Sequence, residues 1–139
     1  MIDLDSIDHC TIRGRPQDVD RLRDFYRDVL GLREGRRASF SFPGYWMYLG
    51  DAPVVHIAGT LPADGPEAPA GAPGSTGRFD HVSFRARGLD AVRTHLQRIG
   101  TPFREAPVPG LDVHQLFFHD PAGVKVELTF YGSDAATPG

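Results

Sequence analysis

Three histidines and one glutamate in this chain stand at spacings that suit a metal centre. His9 and His81 are 72 positions apart, His56 and Glu127 are 71 apart, and each falls in a short segment of strand-like composition. Imidazole with a carboxylate is the ligand set of zinc, nickel, cobalt, manganese or non-haem iron. Two histidines and one carboxylate leave coordination positions open for a substrate. The other histidines carry less. His95 stands near Arg98 on a helical segment and reads as a surface residue. His114 and His119 flank the candidate site but alternate in direction, so at most one of them looks into it. Cys10 points away from His9 and reads as a small packed residue. As the single cysteine, it has no partner for an internal disulfide.

The elements that must position these residues occur twice. Residues 7–12 alternate like a strand, with His9 and Thr11 on one face. Val19, Leu22, Tyr26, Val29 and Leu30 recur at helical spacing over 18–30, with Gly31 placed to end the helix. Short strand-like pieces follow at 39–42, 45–49 and 54–58. Residues 59–78 differ in kind, because 13 of the 20 are Gly, Pro or Ala and offer little to bury. Beyond them 79–86 reads as a strand, 89–99 as a helix ended by Gly100, and 113–118 and 124–130 as strands joined by Asp120-Pro121-Ala122-Gly123. Ile7-Asp8-His9 aligns with Phe79-Asp80-His81, and Val54-Val55-His56-Ile57 with Lys125-Val126-Glu127-Leu128. Ordered agreement of strand, helix, glycine and final strand indicates a duplication. The expected architecture is α+β: a βαβββ module over 1–60, a linker over 61–78, a second βαβββ module over 79–132, and a frayed tail over 133–139. Packed about a pseudo-twofold axis into a curved, partly open mixed barrel, such modules would bring His9, His56, His81 and Glu127 together. Ser83 and Arg85 share the side of His81, and Lys125, Thr129 and Tyr131 that of Glu127.

Composition excludes several classes. A net charge of −3, from 15 basic and 18 acidic residues, argues against a general nucleic-acid binder. No apolar run approaches the roughly 18 to 20 residues that cross a bilayer, so no membrane partner is expected. The first residues lack a basic region and an apolar core of signal-peptide type, which makes a cytoplasmic location the default expectation.

From about Ile7 to Phe130 the chain resembles the vicinal oxygen chelate superfamily, which includes glyoxalase I, extradiol dioxygenases and fosfomycin- and bleomycin-resistance proteins. The most specific pieces are Asp24-Phe25-Tyr26 through Leu30-Gly31-Leu32, and Asp120-Pro121-Ala122-Gly123 leading to Glu127-Leu128. The resemblance implies paired βαβββ modules around a divalent metal held by His9, His81 and Glu127, with His56 at the fourth position, where a glutamate or glutamine is more usual. It also implies metal-bound bases at Glu127 and His56, and thus proton transfer beside a chelated carbonyl, as in a glyoxalase-like isomerase or lyase acting on a small molecule. One alternative is a ring-cleaving dioxygenase. Its expected tyrosine position reads Phe117, and its expected histidine region reads Val108-Pro109-Gly110, for which His114 would have to substitute. The other alternative is a non-catalytic antibiotic-binding protein, although such members dispense with the ligands retained here. Thr11, Trp46, Tyr48, Ser83, Arg85 and His114 are the candidate substrate contacts. Phe40, Phe42, Tyr45, Trp46 and Tyr48 together would make a substrate wall or an interface, and a homodimer is expected.

Overall fold

The computed structural model describes residues 3, 5–65, 76, 79 and 81–135. Contacts divide the chain into two units, Met1–Pro66 and Glu67–Gly139. In the first, β1 (Cys10–Gly14) leads through a short 3-10 turn to α1 (Val19–Asp28), β2 (Arg33–Gly35), β3 (Gly44–Leu49) and β4 (Ala52–Gly59). The second runs β5 (His81–Arg85), α2 (Leu89–Arg98), β6 (Arg104–Pro107), β7 (Val113–His119) and β8 (Lys125–Tyr131). The sheet orders are β1-β4-β3-β2 and β5-β8-β7-β6, each with its first and last strands parallel and the rest antiparallel. The two units thus share one topology, two open four-stranded mixed sheets each with one helix, as the internal repeat requires. The helices are too short and polar to cross a membrane.

The helices follow the predicted stripes. α1 buries Val19, Leu22 and Tyr26 and packs on β3 and β4, where Met47, Val55 and Ile57 are buried. At the end of α2, Gly100 takes φ +72°, the Thr101 amide donates to the Leu96 carbonyl, and the Gly100 amide donates to Gln97. This 6→1 and 5→2 pair of bonds satisfies the last carbonyls only because the glycine reaches the left-handed region.

Several boundaries differ from expectation. β1 starts at Cys10, so Ile7, Asp8 and His9 precede the strand, with Ile7 96% exposed. Residues 39–42 form no strand. Arg37 donates to the Phe42 carbonyl and stacks on Phe40 and Phe42, while the edge strand lies earlier, at Arg33–Gly35. β6 was hidden by its proline and by its shortness. It is an edge strand, where the missing amide of Pro107 breaks no ladder. The linker expected over 61–78 lies mostly outside the described residues. Its first part turns back along the first unit, the Leu61 amide donating to Gly14, Gln17 to the Ala63 carbonyl and Arg15 to the Gly65 carbonyl. Ser133 to Ala135, expected to fray, belong to a 3-10 turn, and the Gly132 amide there donates to Asp112.

An ion cluster ties α2 to its sheet. Arg93 of α2 donates to Glu105 of β6 at 2.8 Å, and His114 Nε2 donates to the same carboxylate at 3.0 Å. Burial pushes the Glu105 carboxyl up, but the hydrogen bonds from Arg93 and His114 outweigh it and hold the group below its ordinary 4.5. A carboxylate whose folded pKa is depressed stabilises fully above the unfolded value, and that stability is lost as pH falls through the folded one. Glu105→Gln is expected to cost about 1 kcal/mol at pH 7, a small figure because the group is partly solvated. Urea denaturation at pH 7 and again at pH 3 checks this: the gap between parent and variant should close in acid.

Candidate metal centre

Each unit brings together two of the four predicted ligands. In the first, Thr11, His56 and Trp46 lie in one row across β1, β4 and β3, on the face opposite buried Val55 and Ile57. The His9 ring, supplied by the segment before β1, stacks on His56 at 3.8 Å between centroids and 11° between planes. Trp46 stacks on His56 at 4.1 Å, also at 11°. His56 is therefore the middle ring of three.

Hydrogen bonds select the tautomers of both imidazoles. His9 Nδ1 donates to Asp8 Oδ2 at 2.7 Å, which leaves the lone pair on Nε2. His56 Nε2 donates to the Pro53 carbonyl at 3.0 Å, which leaves the lone pair on Nδ1. Burial, and after it the neighbouring His9, holds the His56 imidazole below its ordinary range, so the neutral, lone-pair-bearing form is favoured. An imidazole whose other nitrogen donates to a carboxylate or a carbonyl is oriented for a metal.

In the second unit Glu127 is the centre of a polar cluster. It is 6% exposed. Its Oε1 accepts from Ser83 Oγ at 3.0 Å, Gln115 Nε2 at 2.9 Å and Thr129 Oγ1 at 2.6 Å. Oε2 lies 3.0 Å from His81 Nε2. The ladder explains the convergence: Ser83 pairs with Glu127 across β5 and β8, and Gln115 pairs with Thr129 across β7 and β8. Oε1 is saturated, so Oε2 is the oxygen left to bind. Two atoms bound side by side to one divalent metal, each at about 2.1 Å, lie roughly 3 Å apart. His81 Nε2 and Glu127 Oε2 have that separation, and the donor set of imidazole nitrogen and carboxylate oxygen fits the metal. Among the described residues, no third His, Cys, Asp or Glu side chain completes either pair into a metal-holding group.

The candidate substrate contacts divide. Thr11 and Trp46 share the His56 face, and Ser83 and Arg85 share the Glu127 face. Tyr48 is turned to the edge strand: its hydroxyl donates to the Arg36 carbonyl and Arg33 covers its ring. Tyr45 faces α1 instead, donating to Asp20 and accepting from Arg23, so the five aromatics do not form one wall. His114 lies on the face of β7 that carries buried Leu116 and Phe118, held by Glu105. His119 has the alternation of Gln115 and Phe117 and is the histidine of this strand on the Glu127 face. Gln115, which sequence reasoning missed, was detectable by its two-residue step from Phe117.

A curated relative, Glyoxylase I 4 of Arabidopsis thaliana, is 33% identical over 128 residues, covering 90% of this chain and 70% of the plant protein. Two solved structures show the same fold. A glyoxylase/bleomycin resistance protein/dioxygenase domain from Frankia sp. EAN1pec matches with TM-score 0.69 and 18% identity over 94% of this chain and 95% of that one. Lactoylglutathione lyase from Agrobacterium tumefaciens matches with TM-score 0.65 and 22% identity over 90% and 92%. The family model described as Glyoxalase/Bleomycin resistance protein/Dioxygenase superfamily matches residues 6–128.

Proposed function

Because the chain belongs to the Glyoxalase/Bleomycin resistance protein/Dioxygenase superfamily, we propose that it is a divalent-metal-dependent lyase or isomerase of glyoxalase type. Its substrate is a small molecule that chelates through adjacent oxygens. The supporting observation is the His81–Glu127 pair, with the right atoms at the right separation and the second carboxylate oxygen anchored by three donors. His81 and Glu127 would hold the metal, with His9 and His56 the candidate ligands of the first unit, and the metal would supply polarisation of a bound carbonyl, which acidifies the adjacent C–H.

The chain's own groups then divide the work. Ser83, Gln115 and Thr129 fix the Glu127 carboxylate in one rotamer and withdraw charge from Oε1, so a proton is accepted at Oε2. On the other unit, Nδ1 of His56 carries the one lone pair of a ring held between His9 and Trp46, and it can accept or return a proton only while it is not bound to the metal. Thr11, Ser83, Arg85 and Trp46 are the side chains of these two faces available to orient a substrate. The reading includes a homodimer, which light scattering would register as twice 15.2 kDa.

The test begins with metal analysis of purified protein. A screen of glutathione hemithioacetals and catechols follows, with nickel, zinc, cobalt, manganese and iron supplied in turn. The expected result is turnover of a hemithioacetal-type substrate that a chelator abolishes and that falls sharply in His56→Gln. Catechol-dependent oxygen uptake with iron would overturn the reading in favour of ring cleavage. Tight ligand binding without turnover under any metal would overturn it in favour of a binding protein.

A further inference from the structure

The Glu127 face of the second unit is basic in an acidic protein. Its strands present Arg85, Arg104 and Lys125 there and a single carboxylate, Glu127 itself, although the chain as a whole carries −3. At the β6 edge of this face lies a cleft of about 240 Å³ lined by Thr101, Phe103, Arg104, Phe117 and His119 among others. That volume exceeds the roughly 150 Å³ of an apolar cavity that takes up a benzene ring.

The Arg104 guanidinium stacks over the Phe117 ring at 4.7 Å, and Lys125 Nζ approaches the same ring at 6.0 Å. A guanidinium held over an aromatic face by this attraction uses none of its N–H donors in doing so. Among the described residues, the Arg104 side chain has no hydrogen-bond or ion-pair partner, and neither has the His119 ring. An aromatic floor, an arginine fork without a carboxylate and a second nitrogen donor match one ligand chemistry.

We propose that this cleft binds a flat organic carboxylate. Its apolar body lies among Phe103 and Phe117, and its anionic group meets Arg104 with His119 beside it. Phe117 is the register partner of Glu127 on the neighbouring strand, so the cleft lies one strand away from the candidate metal ligand. On the functional reading above, on which this step rests, the substrate therefore carries an anionic group in addition to its chelating oxygens.

Calorimetric titration of the full chain with benzoate and with benzamide, its neutral counterpart of the same shape, tests the subsite. Benzoate is expected to bind about 10-fold or more tightly than benzamide, the worth of a hydrogen bond to a charged partner. Arg104→Gln should bring benzoate down to the level of benzamide and leave benzamide unchanged, whereas Phe117→Leu should weaken both. The unchanged benzamide affinity shows that the cleft persists in the arginine variant, and loss with Arg104→Gln separates this contact from carboxylate binding to a metal. Equal binding of the two probes, binding of neither, or benzoate affinity indifferent to Arg104→Gln would overturn the proposal. Metal affinity measured on the same preparations keeps the two ideas apart. Protein that binds nickel or zinc but ignores benzoate refutes this subsite alone, and protein that binds benzoate but no metal refutes the enzyme reading alone.

Discussion

Glu127→Gln is expected to weaken divalent-metal binding far more than any other single change in the second unit, and to abolish turnover with it. The substitution preserves shape, so the cluster around position 127 keeps its packing, but the neutral amide oxygen is a much weaker ligand than the carboxylate it replaces. Gln115→Leu is the informative contrast. Gln115 donates to Oε1 at 2.9 Å and has no route to the metal except through Glu127. Groups that only orient a ligand typically cost about 10- to 100-fold in affinity when removed. The glutamate itself should cost well beyond that range, and Gln115→Leu should fall within it. Competition with a chromogenic chelator measures both. Metal affinity in Glu127→Gln within tenfold of the parent would refute the ligand assignment for Glu127, and with it the role of Oε2 as proton acceptor.

Asp120→Ala is expected to produce the largest loss of stability among changes away from the site. Asp120 is fully buried in the turn before β8, where its Oδ1 accepts from the Ala122 amide at 2.8 Å and the Val124 amide at 2.9 Å. Its own amide donates to the Val124 carbonyl, and the Gly123 amide donates back to the Asp120 carbonyl. Truncation leaves the part-buried Ala122 amide and the buried Val124 amide without their acceptor, and hydrogen bonds to a charged group contribute about 1.5–3 kcal/mol each. Allowing for relaxation, the expected cost is about 3 kcal/mol, which for a domain of this size lowers Tm by roughly 10 °C. Asp120→Asn keeps an acceptor at Oδ1 and should cost about 1 kcal/mol. Thermal unfolding followed by circular dichroism distinguishes them. Equal Tm values for the two variants would show that the side-chain oxygen does not hold the turn. Because this turn sets where β8 begins, Asp120→Ala should also loosen the register that places Glu127 opposite Ser83.

Much of this molecule was legible before any coordinate. The paired offsets of His9 with His81 and of His56 with Glu127 express a duplicated topology, and both units have it. The helical stripe Val19, Leu22, Tyr26 and the alternation Val124, Val126, Leu128, Phe130 are local periodicities, each marking the side of an element that joins the apolar core. The edge strands β2 and β6 were not legible, because three or four residues with a glycine or proline among them show no period. The choice between His114 and His119 depended on pairing across strands. Alternation separates the two, but the ladder with β8 and the carboxylate of Glu105 decide which one faces Glu127. Sequence by itself determined the fold class, the repeat and the identity of four metal-binding candidates, since these rest on residue type and on patterns along the chain. The tertiary structure alone decided that Oε1 of Glu127 is saturated, that His56 lies between two rings with its lone pair on Nδ1, and that Arg104 stacks on Phe117 beside a cleft. Each of these depends on atoms brought together by strand register from positions distant in the chain, and no local pattern records that.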